Sequence, residues 1–376
     1  MILIVLGSIV AILVSILFSI RSTFKPPKGG VVRLLWKDSH QLPSLVSYIP
    51  LILAGAIFKN EGRFYPGLKD FPKTHIEIGA SEYVHFWLVL CAPLPASPAD
   101  LLCCCLSSDC RLEVKHIEKY YDVCGFEKPK AGQELTVPPC YPVMSIFNFQ
   151  PFLVSMPSFP VSPLGVIHVR TVLTQHKVLK AGTKLVYSID MCGHKDTERG
   201  MEVDFVIKAS LESGEVVWNC IETMLSRKKG SGGKKKPTPA AAAEGQEPRF
   251  DGSVLFPVAE NTGRRYASVV GDYNPHHMNK IGAILFGFPK PIAHGQWSLE
   301  HSLAQLQAAG IPARPPFKVD CSFKLPIYMP GKCLLRWNTT GAPKHGTVDF
   351  ELRSADGKLP HLAGKLENLD QPGTLV

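Results

Sequence analysis

Tyr266-Ala-Ser-Val-Val-Gly271-Asp272-Tyr273-Asn274-Pro275-His276-His277, followed by Gly287-Phe-Pro-Lys-Pro-Ile-Ala-His294-Gly295, is the stretch that decides how this chain is read. Gly-Asp-x-Asn-Pro is a tight turn. It carries a carboxylate, Asp272, and five residues later an imidazole, His277. A carboxylate and a histidine that share one water can activate it and shuttle its proton. His294-Gly295 stands before an apolar run with helical spacing, Trp297 to Leu306. A glycine there lets a substrate carbonyl approach the backbone, and amides at a helix N-terminus make an oxyanion site.

Gly-Asp-x-Asn-Pro-x-His followed by Gly-Phe-x-x-x-Ile-Ala-His-Gly resembles the signature of the MaoC-like (R)-specific enoyl-thioester hydratases. That resemblance implies a hotdog fold, in which an antiparallel sheet wraps a long helix. It implies addition of water to trans-2-enoyl thioesters, or the reverse dehydration of 3-hydroxyacyl thioesters. By it, Asp272 and His277 hold and deprotonate the water and return a proton to the α-carbon. The amide of Gly295 stabilises the thioester enolate. Asn274, Tyr266 and His294 fall at the substrate, with Asn274 bracing the turn and His294 supporting the glycine. The substrate is a thioester of CoA or of an acyl carrier protein, and no cofactor or metal is called for. Two positions depart from the family pattern: Val270 replaces a small Ser or Thr, and His276 replaces an aliphatic residue. The competing reading is a non-catalytic acyl-thioester or lipid-binding scaffold; the intact set of Asp272, His277 and Gly295 favours the enzyme.

Working outward, the chain echoes itself at an offset of about 150 residues. Val169-Arg-Thr-Val-Leu173 with Gly182-Thr-Lys-Leu185 resembles Val319-Asp-Cys-Ser-Phe323 with Gly331-Lys-Cys-Leu334. Tyr121-Asp-Val-Cys-Gly125-Phe126 sits opposite the turn that carries Asp272. The first copy has Phe126 where the carboxylate would be and no Asn-Pro-x-His after it, so it is silent in catalysis. The repeat fits an α+β architecture, and the resemblance implies that it is a double hotdog, behind an N-terminal transmembrane helix. Its parts are an anchor at 1–24, a juxtamembrane and irregular segment at 25–110, a degenerate hotdog at 111–226, a basic flexible linker at 227–248 and the catalytic hotdog at 249–376. The two hotdogs make an internal pseudo-dimer, and the apolar stretch Ser145 to Val154 is expected to line an acyl tunnel.

Composition limits the alternatives. Hydrophobic residues are 45% and charged residues 19%, enough to build a core. The net charge of +9 is concentrated after the N-terminal apolar run and in the linker, which suits an anionic membrane surface. There is no zinc-finger spacing, phosphate loop or basic-aromatic platform, so nucleic acid is not a partner. Eleven cysteines, three of them consecutive at Cys103 to Cys105, do not form a disulfide framework and fit a reducing compartment. His168 and His176 read as structural.

Ile2 to Ile20 is uncharged and apolar. At about 1.5 Å per residue it reaches roughly 28 Å, close to a bilayer core. No basic residue precedes it, whereas Arg21, Lys25, Lys28, Arg33 and Lys37 follow. The run therefore reads as a single-pass anchor with the body in the cytosol. A second apolar stretch, Leu42 to Phe58, is interrupted by Pro43 and Pro50 and reads as an interfacial or core helix; were it a second span, the orientation would reverse. With one span, a tag at Val376 is expected to be digested by protease added to intact microsomes, and the Asn338-Thr-Thr sequon to stay bare. A protected tag, or glycan on Asn338, would put the body in the lumen.

Overall fold

Residues 202–207, Glu-Val-Asp-Phe-Val-Ile, alternate as a half-buried strand should. In the computed structural model Val203, Phe205 and Ile207 are buried and Glu202 and Asp204 are not. The structure describes residues 111–228, 249–340 and 346–369, less 131, 148–149, 151–153, 155–158, 160 and 163–164, together with the strands Val32–Trp36 and Thr74–Ile78. The predicted anchor, most of 25–110 and residues 229–248 of the linker lie outside these. Among the described residues no helix is long and apolar enough to cross a membrane.

Among the described residues eleven strands form one sheet. They are β1 (Val32–Trp36), β2 (Thr74–Ile78), β3 (Val166–Gln175), β4 (Val186–Thr197), β5 (Gly200–Ser210), β6 (Val216–Arg227), β7 (Gly252–Val258), β8 (Phe317–Phe323), β9 (Gly331–Thr340), β10 (Thr347–Ser354) and β11 (Pro360–Asn368). Their order is β1-β2-β4-β5-β6-β3-β8-β11-β10-β9-β7. Every pairing is antiparallel except β1 with β2. Apart from β1, the order is the same read outward from the β3–β8 seam in either direction, with β2 matching β7, β4 matching β9, β5 matching β10 and β6 matching β11. The described residues thus form a hotdog fold built twice. Each half has an outer strand paired to the first hairpin strand, a feature the internal repeat did not reveal.

The described helices are α1 (Val114–Cys124), α2 (Tyr141–Ser145), α3 (Thr262–Val270), α4 (Pro275–Met278), α5 (Lys280–Leu285) and α6 (Gly295–Ala308). Helices α1 and α3 are counterparts. Each ends on a glycine in the left-handed region, Gly125 at φ 83° and Gly271 at φ 85°, whose N–H donates to the carbonyl four residues back. Only glycine takes that conformation without strain, so the helix stops there and the chain turns toward Asp272.

The halves are joined along β3 and β8 from Arg170↔Ser322 to Gln175↔Phe317. Arg170 makes a two-pronged bond to Asp320 across the seam, at 3.0 and 2.6 Å. Beneath the sheet, His116 Nε2 meets the Val269 carbonyl at 2.7 Å, Trp297 Nε1 donates to Val123 O at 2.9 Å, and His301 Nδ1 meets Cys124 O at 2.8 Å. One continuous core runs through both halves. Residues 249–376 expressed alone would leave the β8 edge unpaired and these polar groups without partners. That fragment is expected to aggregate or self-associate on gel filtration, whereas 25–376, which keeps β2 paired with β4, elutes as a soluble monomer. A monomeric, cooperatively melting 249–376 would contradict this.

Candidate active site

The turn after α3 is built by its own side chains. Asn274 bonds Asp272 Oδ1 twice, through Nδ2 at 2.7 Å and its backbone N–H at 3.2 Å. Pro275 then opens α4, where its missing N–H costs nothing. Gly263 lets α3 lie directly on α4, since a Cβ there would collide with the His277 carbonyl. These constraints leave His277 buried and Asp272 partly open.

One ligating-type atom from each of Asp272, His277 and His294 falls within 4.8 Å of the others. His277 Nδ1 lies 2.7 Å from the Ile292 carbonyl. A carbonyl only accepts, so Nδ1 carries the proton. Burial, and next His294, pushes the His277 pKa well below its ordinary value, against the opposing pull of Asp272. A neutral ring with hydrogen on Nδ1 presents a free lone pair at Nε2. His294 is arranged the other way: its Nε2 donates to the Asp272 carbonyl at 3.0 Å, with Asp272 Oδ2 at 3.5 Å. Burial holds its pKa down to about 3. The two rings stack at 3.6 Å and 24°.

Gly295 is the first residue of α6, whose opening N–H groups have no acceptor within the helix. A Cβ at Gly295 would stand 3.4 Å from the Phe323 ring, so the backbone here is closely approached from β8. Asp272, His277, His294 and Gly295 therefore belong to one site, with Asn274 fixing its carboxylate. Tyr266 does not face that site as expected. It is 1% exposed, its ring 4.9 Å from His294 and 6.2 Å from Tyr120, so it backs His294 instead of touching substrate. Its position one and a half turns before the α3 cap puts its side chain into the helix interface. His276 packs against His277 at 4.1 Å and against Phe286 and Phe288 at 5.1 and 5.8 Å, and burial lowers its pKa. Val270 is core. His176 bonds Asn219 at the surface, while His168 packs on Phe323 at 4.9 Å.

A small, mostly apolar pocket lies in the first half, and Ile146, Gln150 and Val154 from the predicted acyl-lining stretch are on its wall. At its edge is Glu222, completely buried, whose carboxylate accepts from Gln296 Nε2. Sequence reading missed Glu222, Gln150 and Gln296. A signal existed: along β6, Trp218, Cys220, Glu222 and Met224 share one face, so Glu222 sits in the core row while Ile221 faces solvent. A charge inside and an isoleucine outside is an inversion that packing alone does not favour.

The chain is similar to several known proteins. The MaoC like domain model matches residues 239–327. The chain is 30% identical over 236 residues to 3-hydroxyacyl-thioester dehydratase X of Mycobacterium tuberculosis, covering 62% of this chain and 79% of that protein. It is 26% identical over 204 residues to 3-hydroxyacyl-thioester dehydratase Y of the same organism, covering 52% and 69%. The crystal structure of HtdX of M. tuberculosis superposes with a TM-score of 0.55 at 25% identity, over 70% of this chain and 98% of that one.

The neutral histidines make stability depend on pH. An unfolded chain binds protons on His277 and His294 below about pH 6.5, but the folded site does not. Their stabilisation is complete above that pH and is lost as pH falls, at up to about 1.4 kcal/mol per unit for each ring. Glu222 and Glu300, both pushed up to about 7 by burial, act oppositely over the same range. The difference between wild type and His294→Leu isolates the histidine: wild-type Tm should lose ground relative to the variant from pH 7 to pH 4.5. Parallel Tm profiles would show that His294 is not held neutral.

Proposed function

This chain belongs to the MaoC-like dehydratase family and is a hydro-lyase; from that premise we propose that it adds water to trans-2-enoyl thioesters, or removes it from 3-hydroxyacyl thioesters, in fatty-acyl metabolism. The observation that carries this reading is the neutral, Nδ1-protonated His277 beside the braced carboxylate of Asp272.

In the hydration direction, the water lies between Asp272 Oδ2 and His277 Nε2. As its oxygen bonds C3, it gives up a proton to this pair. The electron pair of the C2=C3 bond moves toward the thioester oxygen, where the Gly295 N–H donates to the developing enolate. The enolate then collapses, and the proton passes from the pair to C2. Dehydration runs the same steps backwards. Asn274 occupies Oδ1 and so leaves Oδ2 for the water. His294 ties the backbone of Asp272 to the residue before Gly295, linking the two working parts of the site. The thioester carrier is CoA or an acyl carrier protein, and the cavity beside Ile146 and Val154 takes the acyl chain.

We place this activity at a membrane surface, with the body cytosolic. The apolar run Ile2 to Ile20 supports this, and so does α5. Ile281 and Leu285 are 75% and 79% exposed on one face of that helix, between Lys280 and Lys290. No acidic residue occurs from Tyr273 to Gln296. An apolar face with cationic flanks is what anionic lipid favours.

The test is crotonyl-CoA hydration by residues 25–376, followed by loss of enoyl absorbance. Asp272→Asn and His277→Ala should each cut kcat/KM by about 10²–10⁴-fold with unchanged folding. Near wild-type turnover in either variant would remove that residue from the mechanism.

A further inference from the structure

The cavity in the first half is apolar on most of its wall, yet its boundary with the site is polar. Glu222 Oε2 accepts from Gln150 Nε2 at 2.5 Å, and Oε1 accepts from Gln296 Nε2 at 3.0 Å. Gln296 is the residue next to Gly295, so this clasp ties the first turn of α6 to β6 and to the cavity wall. Through it the residue beside the Gly295 amide is bonded to the wall of the pocket.

Acceptors outnumber donors in the clasp. Above its raised pKa of about 7, the Glu222 carboxylate offers about four lone-pair sites, and two are used. Gln296 Oε1 is buried and has no partner at all. His168 Nε2 stands 4.0 Å from Glu222 Oε1, but it already donates to the Arg170 carbonyl at 2.9 Å. A methylene chain threaded past these oxygens would leave them unsatisfied, and buried acceptors without donors are disfavoured. A hydroxyl group would supply the missing O–H.

We propose that Glu222, Gln296 and Gln150 form a subsite for a hydroxyl group on the acyl chain beyond the reacting carbons, making hydroxylated acyl thioesters the preferred substrates. This rests on the hydratase reading above. Glu222 is then a specificity-determining residue, and its carboxylate accepts the ligand O–H together with Gln296 Oε1.

The experiment compares kcat/KM for trans-2-octenoyl-CoA with that for its derivatives hydroxylated at successive carbons from C4 onward, which are isomers of one another. Sites built to bond a hydroxyl discriminate strongly against its absence, so at least one isomer should exceed the plain chain by about tenfold or more. In Glu222→Leu that ratio should fall to about one. Should the leucine variant fail to fold, the isosteric Glu222→Gln, with amides facing amides, should lower the same ratio several-fold. Hydration of all isomers at equal kcat/KM, or a preference that survives in the folded Glu222 variant, would overturn the subsite and leave the hydratase reading standing. Failure of the wild type to hydrate any member of the panel would sink both.

Discussion

Helix α6 has almost no side that faces water, and the rest of the structure follows from that. Gln296, Trp297, Ser298, Glu300 and Ser302 are all buried along it. A buried polar group needs a partner, and three of these find theirs in the other half of the chain. Gln296 donates to Glu222, Trp297 Nε1 donates to Val123 O, and Glu300 accepts from the backbone N–H of Cys140. The helix that presents Gly295 is thus held by groups more than seventy residues away in sequence. A half without its partner would have to solvate or bury those groups unpaired, at about 1–3 kcal/mol each. Two hotdogs in one chain are therefore a single structural unit.

The same helix explains how much of the site could be read directly. Asp272, Asn274 and His277 lie within six residues, and local rules of turn and helix capping bring them together. His294 and Gly295 join them because the helix start is marked by a glycine before an apolar run. Those signals are local, and sequence carries local signals well. The fold was legible for a related reason: strand alternation and the recurrence of Gly125 and Gly271 at helix ends are both short-range patterns. The outer strands β2 and β7 were not read, because a sheet edge is defined by what it pairs with.

What stayed hidden was long-range. Glu222 and Gln296 are 74 positions apart, and nothing near either one predicts their bond. Tyr266 carried a hydroxyl and stood near the motif, so it looked like a substrate contact. Its burial beside Tyr120 is a consequence of α1 crossing α3, which only tertiary packing decides. His168 shows the converse. Read as structural, it packs on Phe323 beside the clasp, with its pKa lowered to about 4 by burial. It shapes the passage without a free proton to give.

A symmetric pair of hotdogs would carry two catalytic turns and two long helices. Here the first half has Gly125-Phe126 where the second has Gly271-Asp272, and Phe126 is buried. At the place in chain order that α6 occupies in the second half, the described residues of the first include α2 and the helical Gln150 and Val154. The cavity lies against that segment, walled by Val143 and Ile146. Keeping β3 and β6 long keeps the seam intact, so the half that no longer needs to do chemistry still has to hold the helix that does. Selection on the first half then acts through packing and the passage around Glu222, and selection on the second acts through proton transfer.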